Sequence, residues 1–145
     1  MKLFSKNKMI IGAPVIIVLC IALYAFLTKP AIETHTWELF TAQQAEPMLT
    51  IAHHHNYTFD DDPLFVASKP IELTCVAKNG KLTITDKTNN KTYSGAYEVK
   101  SRNIFSLQRY EVVIEGKKGT ANISSRFNRT LFISVDGYYL NFVIK

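Results

Sequence analysis

Hydrophobic and polar positions follow two different patterns along this chain. Met9 to Leu27 shows no alternation, carrying no charge and no strongly polar side chain. From residue 64 onward the period is two, interrupted by turn residues, which is the mark of half-buried strands. Ile71, Leu73, Cys75 and Ala77 share one face, and Glu72, Thr74, Val76 and Lys78 share the other. Asn79-Gly80 is a type I′ hairpin dipeptide. It predicts a return strand from Lys81 to Asp86 with Leu82 and Ile84 inward. A polar turn at Lys87–Asn90 leads to a strand over Thr92–Lys100, with Tyr93, Gly95, Tyr97 and Val99 on one face. Phe105–Glu115 follows, with Tyr110, Val112 and Ile114 inward, and then a basic turn over Gly116–Gly119. Thr120–Phe127, Thr130–Val135 and Tyr138–Ile144 complete the series, the last two joined by Asp136-Gly137.

These seven strands have short connections, which force antiparallel neighbours. An eighth, from Thr36–Phe40 or Leu49–Phe59, would allow closure into a small barrel and remove the exposed edges of so long a meander. The predicted class is therefore all-β, an antiparallel meander forming a small barrel or sandwich of about seven or eight strands. Thr41 and Gln44 together suggest the start of a short helix, ended early by Pro47.

The apolar run predicts a different element. As a helix its 19 residues span roughly 28 Å, close to the hydrocarbon thickness of a bilayer. Lys2, Lys6 and Lys8 precede it and only Lys29 follows closely, which places the N-terminus in the cytoplasm. A cleavable signal peptide is the alternative, but this core is longer than such segments and Leu23 is a poor outer residue for a cut after Ala25. The reading is a cytoplasmic tail (1–8), a transmembrane signal-anchor helix (9–28), a linker (29–36) and an extracytoplasmic β-domain (37–145). The protein is expected to be a single-pass cell-membrane protein.

Charge fits this division. Of 17 cations, four flank the apolar run, which leaves 13 against 12 acids in the outer domain. The overall charge of +5 therefore reflects topology, and a nucleic-acid partner is not expected. Residues 31–62 hold six acids and no cation, whereas residues 63–145 hold all 13 cations and six acids. The split reads either as an acidic N-terminal portion packed beside a basic sheet, or as a basic face that meets an anionic partner or the membrane surface.

Trp37 on an early strand, followed by a meander, resembles the lipocalin-like group of small β-barrels. The resemblance covers residues 34–145 at the level of fold. His35 stands where the group has a glycine two positions before its tryptophan. The resemblance implies an end-on cavity but no particular ligand. Ser94-Gly95-Ala96-Tyr97 is similar to a loop motif of bacterial lysozyme inhibitors, with the tyrosine one residue nearer.

Few residues carry recognisable chemistry. His53 and His55 point the same way in an extended strand, close enough to share a metal, with Asp60, Asp61, Asp62 and His35 as further donors. Nothing in the sequence fixes their convergence, so no metal or other cofactor is assigned. Cys75 falls on an apolar strand face and reads as an inert core thiol. Trp37, Tyr93, Tyr97, Tyr110 and Tyr139 form an aromatic-rich inward set, read either as packing or as the wall of a pocket for a small apolar ligand. Asn56, Asn90, Asn122 and Asn128 each begin a glycosylation sequon, relevant only in a secretory pathway that reads it. No nucleophile elbow, zinc-protease helix, paired-cysteine motif or phosphate loop is present. The expected function is that of a non-enzymatic accessory protein binding a protein partner or small ligand, of immunity or inhibitor type. A metal-dependent envelope enzyme using His53 and His55, or a structural subunit of a membrane complex, are the alternatives.

Overall fold

The computed structural model describes residues 7–28, 30–45, 49–54, 65–101, 107–123 and 130–145, with the side chains of 7–13, 25–28 and 65–68 excepted. The described residues form helix α1 (Asn7–Thr28), a 3₁₀ turn (Ala31–Glu33) and ten strands. The strands are β1 (Thr36–Gln44), β2 (Leu49–His53), β3 (Phe65–Pro70), β4 (Leu73–Lys78) and β5 (Lys81–Asp86). They continue as β6 (Lys91–Ser101), β7 (Gln108–Ile114), β8 (Lys117–Ile123), β9 (Thr130–Val135) and β10 (Tyr138–Ile144).

Eight of the strands close a ring. β4 to β10 form an antiparallel meander, and β1 joins its ends by pairing with β4 on one edge and β10 on the other. The fold is thus a closed eight-stranded antiparallel barrel. β1 is long enough to serve two neighbours on its β4 side. Its first residues pair with β4 (Thr36↔Val76, Glu38↔Thr74), and its last pair with β2 (Thr41↔His53, Gln44↔Leu49). β2 is paired in turn to β3, in parallel, and β3 leads through Ile71 and Glu72 into β4. Residues 41–44, expected to open a helix, are the end of β1. Phe40 is an extra residue in the β1–β10 ladder. Such a bulge bends the strand and lets it follow the barrel wall where a local helix signal would have broken away.

The hairpins explain why the meander turns where it does. Asn79-Gly80 and Asp136-Gly137 have φ of 51° and 77°, and of 50° and 77°, the left-handed pair that a type I′ turn requires. The turn expected over Gly116–Gly119 is tighter and earlier: Glu115 and Gly116 carry the positive φ values of 47° and 78°. Lys117 to Gly119 already belong to β8. In the motif similar to lysozyme inhibitors, Ser94 to Tyr97 lie within β6 and form no loop.

Alternation places the core as expected on most strands. Leu73, Cys75, Ala77, Leu82, Ile84, Tyr110, Val112 and Ile114 are buried, joined by Trp37, Leu39, Ala121, Ile123, Leu131, Ile133 and Phe142. Tyr139 is a correction. Phe142 sets the inward phase of β10, so Tyr139 points outward and is 43% exposed. Both phases of Tyr138–Ile144 are largely apolar, so alternation alone does not choose between them.

α1 keeps its apolar side chains away from the core. Those described, at 14–24, are all exposed. Among the described residues no helix is long and apolar enough to cross a membrane. Part of the stretch expected to be a linker is instead the floor of the barrel: Ala31 and Ile32 are completely buried.

Gly119 marks a point where two strands approach closely. A Cβ there would lie 2.2 Å from the Ser134 carbonyl oxygen and 2.9 Å from the Val135 Cβ. Gly119→Ala is expected to lower unfolding stability by about 1–3 kcal/mol through this overpacking. At Gly116 a Cβ meets nothing within 4 Å, and alanine there is expected to cost only the left-handed backbone penalty of about 1–2 kcal/mol. Urea denaturation of the two variants checks the values.

Candidate functional site

Among the described residues, buried side chains pack the interior of the barrel, and one of its ends is floored. Trp37, Tyr110, Phe142, Leu39, Leu131 and Ile133 are among its fully buried side chains. At one end the 3₁₀ turn lies across the opening, tied to the wall by a buried polar chain. The Trp37 indole N–H donates to the Ile32 carbonyl at 3.0 Å, and the Tyr110 hydroxyl donates to Gln108 Oε1 at 2.6 Å. The Ala31 and Ile32 N–H groups donate to Gln108 Oε1 and the Tyr110 hydroxyl at 3.3 and 3.4 Å. Polar groups at this depth are tolerable only because each meets a partner.

This places four of the five aromatic residues singled out in the sequence. Trp37 and Tyr110 are core, and Tyr97 meets Tyr110 edge to face at a centroid distance of 5.7 Å. The Tyr97 hydroxyl donates to the Glu33 carboxylate, linking β6 to the floor. Tyr93 is partly buried against the core from the same strand. Tyr139 is not among them; it lies on the outer wall.

Of the histidines that are described, His35 lies apart from His53 and His54. His53 is buried on β2, and the His54 backbone N–H donates to the Phe40 carbonyl at 3.1 Å. His35 packs edge-on against Trp37 at 5.7 Å, roughly 20 Å along β1 from the level of His53. His55 and Asp60–Asp62 lie outside the described residues, as do Phe105 and the sequon asparagines Asn56 and Asn128. Among the described residues no cluster of three His, Cys, Asp or Glu could hold a metal. Cys75 is fully buried, and that burial pushes its thiol pKa up to about 12. It is therefore protonated and inert at neutral pH.

A groove runs around the outer wall. The pleat puts Arg109, Asn122, Phe132, Asn141 and Thr41 in one cross-strand row from β7 to β1. Glu111, Thr120, Ser134, Tyr139 and Gln43 form the row beside it. Two cavities lie along these rows, one of about 540 Å³ toward β7 and one of about 460 Å³ toward β1. They share Thr120, Asn122 and Phe132, so they adjoin. Phe132 is 48% exposed although it sits in the outward, polar phase of β9. Thr41, by contrast, is 8% exposed, which makes it floor rather than rim. Asn141 Oδ1 is buried there with no hydrogen-bond partner.

At the β7 end the groove is ionic. Lys100 lies 3.1 Å from both Glu98 and Glu111, which hold its pKa above the usual lysine value. All three are solvent-exposed, so the network orders side chains more than it stabilises the fold. Sequence reasoning missed the groove. The available signal was Phe132, a large aromatic between Leu131 and Ile133 on the face opposite theirs. No family model, curated protein or solved structure matches this chain.

Tyr97 gives the floor a pH dependence. Burial first, and then the bond and charge of Glu33, raise its pKa above the ordinary tyrosine value. A raised pKa means the folded state retains the proton after the unfolded chain has lost it. This stabilisation is complete below about pH 10 and declines as pH rises beyond it. Chemical denaturation at pH 7 and pH 10.5 is expected to show a steeper loss in the native chain than in Tyr97→Phe; equal losses would contradict the account.

Proposed function

We propose that this chain is a non-enzymatic binding protein that recognises its ligand or partner on the outer wall of the barrel, while α1 holds it at a membrane. The reading is carried by one contrast: the described inward side chains pack into a core that is floored at one end, whereas the outer wall has a long groove with a half-exposed aromatic ring. A lipocalin-like cavity would bind at the barrel mouth. Here the aromatic residues that would line such a cavity serve as core and floor, and recognition is assigned to the opposite side of the same strands. Ligand sites combine apolar surface with a few placed polar groups, and the groove has both.

The membrane assignment rests on the sequence of 9–28, its flanking lysines and the exposure of every described side chain on α1. Such a tether raises the effective concentration of a partner in the same membrane. An immunity or inhibitor role against an envelope-acting enzyme fits this arrangement.

Photo-crosslinking tests the binding surface. Benzoylphenylalanine placed at Phe132 of the full chain in its native membranes is expected to give a discrete adduct. The same probe at Thr83, exposed on β5 across the ring, is expected to give none. Absence of an adduct at 132, or equal adducts at both positions, would overturn the assignment.

Topology has its own test. Cys75 is buried and Cys20 lies in the apolar run of α1, which on this reading is within the bilayer, so a Thr83→Cys variant presents a thiol that an impermeant reagent can reach. A membrane-impermeant maleimide is expected to label it in intact cells and to leave the native chain unlabelled there. Labelling only after lysis would place the barrel on the inner side and end the anchor reading.

A further inference from the structure

We propose that the groove binds a neutral oligosaccharide; the proposal rests on the outer-wall reading above and names its ligand class. The lining of the 460 Å³ half contains no carboxylate, histidine, lysine or arginine. Gln43, Asn122 and Asn141 supply amides, each both donor and acceptor, and Thr41, Thr120 and Ser134 supply hydroxyls. Vicinal sugar hydroxyls need this mixture, because each one both gives and accepts a hydrogen bond.

Two aromatic residues complete the chemistry. Phe132 and Tyr139 are 48% and 43% exposed, so their rings are available to a ligand. The face of an aromatic ring is electronegative. The C–H face of a pyranose, polarised by its oxygens, is a suitable partner for it.

The buried acceptor of Asn141 points the same way. Its Oδ1 lacks a partner, a costly arrangement. Rotation about the terminal side-chain bond is soft, so the amide can turn this oxygen to the cavity and accept from a sugar hydroxyl.

Other ligand classes fit less well. At the β7 end, Lys100 and Arg109 are matched by Glu98 and Glu111, leaving no net charge to select an anion or a cation. A lipid chain would strand the amides and hydroxyls. Five strands at about 4.8 Å spacing make the groove roughly 19 Å long, which suits a short chain of sugars better than a single one.

The experiment uses the full chain in detergent, titrated with cellotetraose, chitotetraose and maltotetraose, with tetragalacturonic acid as the anionic control. Calorimetry is expected to detect at least one neutral tetrasaccharide and to find the acid weaker. Phe132→Ala is expected to reduce affinity about tenfold, as truncation of an aromatic anchor does, whereas Phe132→Trp retains binding. Phe132 is outside the core, so circular dichroism should show both variants folded. If no neutral sugar binds while the crosslink at 132 captures a protein, the saccharide proposal falls and the outer-wall reading stands. If neither occurs, both fall. Sugar binding that Phe132→Ala leaves unchanged overturns the placement of the site.

Discussion

Closure of the ring by β1 is the constraint on which the rest depends. A meander of seven strands ends in two unpaired edges, each a template for aggregation. β1 covers both, taking β4 on one side and β10 on the other. That closure gives the wall two distinct faces. The inner face is committed to packing, and the outer face is free for contact with other molecules.

The floor makes that division sharper. In a small eight-stranded barrel the interior either fills with side chains or holds one small ligand. The Trp37, Tyr110 and Gln108 chain draws the 3₁₀ turn across one end, and every polar group named in it is matched. Opening this end would leave several buried donors and acceptors without partners. Recognition by the outer wall requires no such sacrifice, because the groove lies on the far side of the same ladders.

The sequence made the meander legible because its signals are local. Inward alternation on β4, β5 and β7 and the two-residue turns at Asn79-Gly80 and Asp136-Gly137 are decided within a few residues. Errors arose where a distant partner decides. Thr41 to Gln44 carry helix-start residues, but ladders to β2 and β10 make them strand. Tyr139 could face either way until Phe142 entered the core. The floor was not legible at all, since its bonds join residues 31–32 to 108–110, with sequence separations of 77 and 78. The groove is similar: its two rows collect one residue from each of five strands, and only the register brings them side by side.

The pairing of Trp37–Gln44 with Tyr138–Ile144 also has a kinetic side. The two strands are about a hundred residues apart, and contacts of such separation are slow to form because loop-closure entropy must be met first. Until they meet, the nascent sheet has raw margins on β4 and β10. A membrane helix preceding β1 would hold one of the two late-joining partners at a fixed place and keep growing chains apart from one another. The tether would then act as a folding aid before it serves any recognition, limiting the sideways association that an unfinished cylinder invites.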